Sequence, residues 1–132
     1  MAYETTFKPA EDRFETVLSG LVLPPDILRL DNEIINSPYW RQGISRLVEV
    51  KPSADLSAFT FDVLTQELFP ALQDRRREHD TKERIAWVVP SDFQRLVVQV
   101  WEVMPAAREL ENFRVFTTRP EALAWLSQTT GV

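Results

Sequence analysis

The sequence contains no cysteine, only three glycines and a single histidine. Each scarcity closes a class of chemistry. Without cysteine there is no disulfide, thiol nucleophile or thiolate metal site, which fits a reducing compartment. Gly20, Gly43 and Gly131 stand too far apart to build a phosphate-cradling loop. His79 lies in a charged run over 73–84, without the spaced partners that a zinc site or a Ser/His/Asp triad requires. It reads as an exposed surface histidine. No uncharged apolar run approaches the ~20 residues needed to span a bilayer. Residues 1–6 lack the basic-then-apolar pattern of a signal peptide. Positive charge is in deficit as well. Fifteen Lys and Arg against twenty Asp and Glu give a net charge of -5, which argues against a nucleic-acid surface. The carboxylate pairs Glu11/Asp12 and Asp31/Glu33 show no sign of converging in a pocket. No metal, cofactor or catalytic constellation is expected, and the chain is read as a non-enzyme of the cytoplasm.

What is present is an ordinary globular composition, 44% hydrophobic and 27% charged, over a length that suits one domain spanning 1–132. Short strand candidates at 5–8 and 13–19 flank the turn-like Pro9-Ala10-Glu11-Asp12, which predicts a hairpin. Pro24-Pro25-Asp26 starts a helix whose face carries Ile27, Leu30 and Ile34. Arg46 to Val50 is a third strand. A second helix starts near Thr60, a candidate N-cap, with Phe61, Leu64, Leu68 and Leu72 at helical spacing; Pro70 should kink or split it. Ile85-Ala86-Trp87-Val88-Val89 is continuously apolar, as in a strand buried on both faces. Ser91 with Gln94 reads as a capping box. The helix after it places Phe93, Leu96, Val97, Val100, Trp101 and Met104 on one stripe. A last strand, Phe113 to Phe116, runs into a helix whose start is marked by Thr118 with Glu121.

The order β-β-α-β-α-β-α-β-α implies an α/β domain with a mixed, mostly parallel sheet of about five strands, an N-terminal hairpin and four helices. In this order the chain resembles a STAS-like domain of the sporulation-stage-II-AA-like branch, sometimes grouped with Sec14-type domains. Ser19-Gly20 with Pro25-Asp26-Ile27-Leu28 carries part of the likeness. Ser37-Pro38-Tyr39-Trp40-Arg41-Gln42-Gly43 and Leu47-Val48-Glu49-Val50 carry more, and the stretch from Val115 to Leu126 is the fullest match. The resemblance implies a non-catalytic domain of a bacterial-type cytosol that binds a protein partner. In some members a serine in an Asp-Ser-Ser-Gly-like motif is phosphorylated. Here the comparable stretch is Ala54-Asp55-Leu56-Ser57-Ala58-Phe59-Thr60, where the glycine is missing and the serine pair is broken. Ser57 and Thr60 are therefore candidates either for a phospho-switch or for helix capping.

Two further candidates come from the residues themselves. On the 92–104 helix, Val98, Trp101 and Val103 widen the apolar surface beyond one face, which suits either a homodimer or partner interface or deep core packing. Tyr39, Trp40 and Arg41 are residue types favoured at binding hot spots, or equally a turn whose aromatics cover the core edge. The basic residues Arg75, Arg76, Arg77, Lys82 and Arg84 interleave with acids, as on a solvated helix end. The expected function is a regulatory or protein-interaction module, with self-association or a protein partner. The alternative is a carrier of a small apolar ligand or lipid, of Sec14-like type. Neither nucleic-acid binding nor membrane insertion is expected.

Overall fold

Strand β1 (Tyr3–Lys8) pairs antiparallel with β2 (Arg13–Leu18), so the hairpin forms where the sequence places it. Its turn carries Asp12 at φ 53, a left-handed position that aspartate tolerates. The computed structural model describes residues 2–68, 70–72, 74, 84–90 and 113–127. Strands β3 (Ser45–Val50), β4 (Ile85–Val88) and β5 (Phe113–Phe116) follow β2 in parallel, giving the sheet order β1-β2-β3-β4-β5. The sheet is thus five-stranded, mixed and mostly parallel.

Three helices occur among the described residues, where four were expected. They are α1 (Pro24–Ile35), α2 (Phe61–Val63, continuing as a π turn over Leu64–Leu68) and α3 (Arg119–Leu126). The expected 92–104 helix lies outside the described residues, with its Ser91/Gln94 box and with Val98, Trp101 and Val103. Pro70 accounts for the irregularity of α2. It has no N–H to offer the carbonyl four residues back, and its ring crowds that carbonyl.

Strands added in one direction with right-handed crossovers put the intervening helices on one face of the sheet. Ile27, Leu30 and Ile34 of α1 and Leu64 and Leu68 of α2 accordingly share a core with Phe14, Leu18, Val48, Val50, Trp87 and Val89. The opposite face is covered by α3, whose Ala122 and Trp125 pack on Leu47, Ala86 and Val88. Both faces of β4 are therefore buried, which is why its sequence shows no alternation.

Helix starts follow the sequence, with different hydrogen bonds. At α1 the Asp26 carboxylate accepts the Leu23 N–H at 2.8 Å; leucine has no acceptor to return the bond, so only half of a capping box exists. At α3 the N-cap is Thr118, as expected. Its hydroxyl donates to Glu121 Oε1 at 2.8 Å instead of accepting a backbone N–H.

Candidate functional site

The chain leaves β2 through Ser19 and Gly20. Gly20 sits at φ +64, a conformation that costs a side-chain-bearing residue ~1–2 kcal/mol. This turn lets Leu21 bridge Asp55, where the Asp55 N–H donates to Gly20 O at 2.7 Å and the Val22 N–H to Asp55 O at 3.0 Å. The exits from β2 and β3 are thereby stitched together at the carboxyl ends of parallel strands, where open α/β sheets commonly place their sites. Beside this seam lies a cleft of about 320 Å³ lined by Pro24, Pro25 and Leu28 of α1, Ala58, and Val63, Glu67 and Leu68 of the α2 region. Among the described residues, its lining is apolar apart from Glu67. Leu21 and Leu23, on the segment leading into it, are 58% and 41% exposed. Along with Tyr39 they are the large apolar side chains that stand exposed among the described residues.

Ser57 and Thr60 lie on the loop that supplies Ala58. Thr60 is a helix cap: its hydroxyl accepts the Val63 N–H at 3.3 Å, and its carbonyl takes the Leu64 N–H at 2.9 Å. The Ser57 N–H donates to Asp55 Oδ1 at 2.9 Å. Hydrogen bonds from the Ser57 side chain and backbone hold the Asp55 carboxyl below its usual range. A phosphate on Ser57 would sit against that carboxylate, an unfavourable like-charge contact.

Tyr39, Trp40 and Arg41 sit at the other end of the sheet, before β3. Tyr39 stacks flat on Phe7, with ring centroids 4.6 Å apart and planes 2° from parallel. Arg41 pairs with Asp12 of the hairpin turn, and Trp40 packs half-buried against the large core. The geometry is that of a turn fastened to the β1–β2 hairpin, well away from the cleft. Arg84, from the basic run, donates to the Trp125 carbonyl at 2.6 Å and lies over the indole at 5.1 Å, so it caps the C-terminal end of α3. The other members of that run and His79 lie outside the described residues.

Two charged assemblies escaped the sequence reading. Arg46, on the α1/α2 face of β3, donates to Asp31 of α1 at 2.6 Å, and both residues are buried. On the other face, Arg119 at the start of α3 donates to both oxygens of Glu15, at 2.9 and 3.0 Å, and also pairs with Glu49. Arg13 adds a bond to Glu15 at 2.8 Å. Burial pushes the Glu15 carboxyl up, but the hydrogen bonds from Arg119 and Arg13 outweigh it and hold the group below the usual carboxylate range. The register explains the cluster: Glu15 faces Leu47 and Val17 faces Glu49, so the two glutamates are diagonal neighbours on one face. Among the described residues no group of three or more His, Asp or Glu is placed to hold a metal ion, and no helix is long and apolar enough to cross a membrane.

No family model matches the chain, and no curated protein matches it. A solved structure does. It is an uncharacterised protein of the DUF3478 family with a SpoIIAA-like fold, from Shewanella loihica PV-4. The likeness covers 95% of this chain and 94% of that one, at a TM-score of 0.53 and 17% identity. The chain has a SpoIIAA-like fold. This STAS-like architecture is the one the sequence resembles, with the β1–β2 hairpin opening a parallel sheet. The cleft lies between the first helix and the loop after the central strand. At that identity the likeness carries the fold and leaves the activity to the site.

Proposed function

We propose that this chain is a non-enzymatic regulatory or protein-interaction module that docks a protein partner at the cleft between α1 and α2. The supporting observation is apolar surface left in the open: Leu21 and Leu23 lead into a cleft floored by Pro24, Pro25, Leu28, Ala58, Val63 and Leu68. Contiguous exposed apolar surface of this kind characterises binding sites. Pro24 and Pro25 begin α1 and fix its backbone, so the surface is ordered before a partner arrives.

A photo-crosslinking residue at Leu21 tests the reading in cells. One defined protein adduct is expected at Leu21 and none at Glu11, which lies on the opposite hairpin turn. Ala58→Leu, which fills the cleft floor without adding charge, should abolish it. An adduct indifferent to Ala58→Leu, or none at all, refutes the reading.

The second reading is a carrier of a small apolar ligand. It draws on the same cleft, whose volume is at the lower end of the ~300–1,000 Å³ typical of ligand pockets. Native mass spectrometry of the purified protein distinguishes the two: a carrier retains a bound small molecule that Ala58→Leu expels.

A further inference from the structure

We propose that the segment docking in the cleft is basic as well as apolar: an amphipathic stretch of a partner protein whose Lys or Arg lies beside Glu67. This rests on the interaction reading above and names the chemistry of its partner.

The inference comes from charge. Glu67 is the one charged side chain among the described residues that line the cleft, and it is exposed. The three segments that build the cleft, α1, the 51–60 loop and α2 with its π turn, carry Asp26, Asp31, Glu33, Asp55, Asp62 and Glu67 against Arg29 and Lys51. Asp31 is buried against Arg46 and Glu33 accepts the Tyr3 hydroxyl of β1, which leaves Asp26, Asp55, Asp62 and Glu67 against Arg29 and Lys51, a balance of -2 for these segments. Arg29 is already paired with Asp26 at 3.1 Å. An apolar floor with an acidic edge selects a ligand with the converse pattern. It also disfavours an anionic amphiphile, because like charges about 4 Å apart in water oppose each other by a factor of about five. Leu21 and Leu23 extend the apolar surface past the cleft, which suits an elongated segment with anchors spaced along a helix.

The test uses the full chain and three probes: an amphipathic Leu/Lys peptide of about 15 residues, the same peptide with Glu for every Lys, and phosphatidylglycerol vesicles. Amide shifts of Leu28, Ala58 and Val63 report occupancy of the cleft. The Leu/Lys peptide is expected to move them and the Leu/Glu peptide to bind roughly tenfold more weakly or not at all. Glu67→Lys should weaken the Leu/Lys peptide by roughly three- to tenfold, from a reversed surface charge pair. Glu11→Lys makes the same change in net charge on the hairpin turn and should leave binding unchanged. Because Glu67 is exposed, the substitution should leave the circular dichroism spectrum unaltered. Equal binding of both peptides, or equal effects of Glu67→Lys and Glu11→Lys, overturns the basic-segment inference and leaves the interaction reading standing. So does failure of the Leu/Lys peptide while the Leu21 adduct persists. Vesicles that shift these amides when neither peptide does, together with loss of the Leu21 adduct, overturn both.

Discussion

A guanidinium in a protein core has to be matched, and Arg46 meets Asp31 of α1 at 2.6 Å with both side chains shielded from water. The attraction in such a pair largely offsets the loss of hydration, so its net value is small. Removing one partner is different, because it strands the other charge in the core. Asp31→Ala and Arg46→Ala are each expected to cost about 3–5 kcal/mol in urea unfolding, while the joint change Asp31→Leu with Arg46→Met should cost far less than the sum. Additive losses in that cycle would show that the two charges act independently. The pair also explains why Arg46 was read simply as part of a strand. Central strand β3 is buried on both faces, so alternation does not separate core from surface there. Asp31 likewise falls on a helix whose apolar stripe reads correctly without it, and only the approach of α1 to β3 makes it a core residue.

At the scale of elements, α3 shows how a short helix is held to a sheet. It has eight residues and buries Ala122 and Trp125 completely or nearly so, too little to fix it by apolar contact alone. Its start is tied down by Arg119 reaching Glu15 on β2 and Glu49 on β3, and its end by Arg84 on the Trp125 carbonyl. Arg119→Ala is therefore expected to destabilise the α3 unit by about 1–2 kcal/mol, seen as faster hydrogen exchange over 121–126 with β2 and β3 unchanged. Arg119→Lys should restore less than half of this, since an ammonium cannot fork across two carboxylates. Full rescue by lysine would reduce the contact to simple charge. The helix itself was legible from Thr118 and Glu121, because a capping signal is local. Its latch was not, because Glu15 lies 104 positions before Arg119 and nothing in either segment points to the other. The cleft was hidden for the same reason. Its walls come from 24–28, 58 and 63–68, segments that no local signal ties together. Thr60 was legible as a candidate cap, and Tyr39 to Arg41 as a candidate aromatic turn; their contacts with Val63, Phe7 and Asp12 arise only in the folded chain.

For the whole molecule, the carboxylates that hold α3 to the sheet set how stability responds to acid. Among the described residues, the α1/α2 face joins sixteen buried residues into one apolar core, and the α3 face joins five. The α3 face is the one whose helix depends on ionised glutamates. Glu15 has a folded-state pKa below its unfolded value, so the unfolded chain binds more protons than the folded one in the acid range. Its contribution is fully present above the unfolded carboxylate value, about pH 4, and is lost as pH falls through the lowered folded value. Asp55 shifts in the same direction and adds to the slope with the same sign. Both lowered carboxyls titrate below the ordinary carboxylate range, so they add no slope between pH 7 and 5. The urea midpoint is expected to fall below about pH 4. Glu15→Gln should lower the midpoint at pH 7 and make the acid fall shallower, because the variant has already lost what protonation removes. Arg119→Ala should do the same from the other partner, and the double variant should resemble either single one. A Glu15→Gln variant that keeps the whole acid slope would place the proton-linked stability elsewhere. If the latch is its source, exchange at 121–126 should rise with falling pH before the amides of β2, β3 and β4 respond.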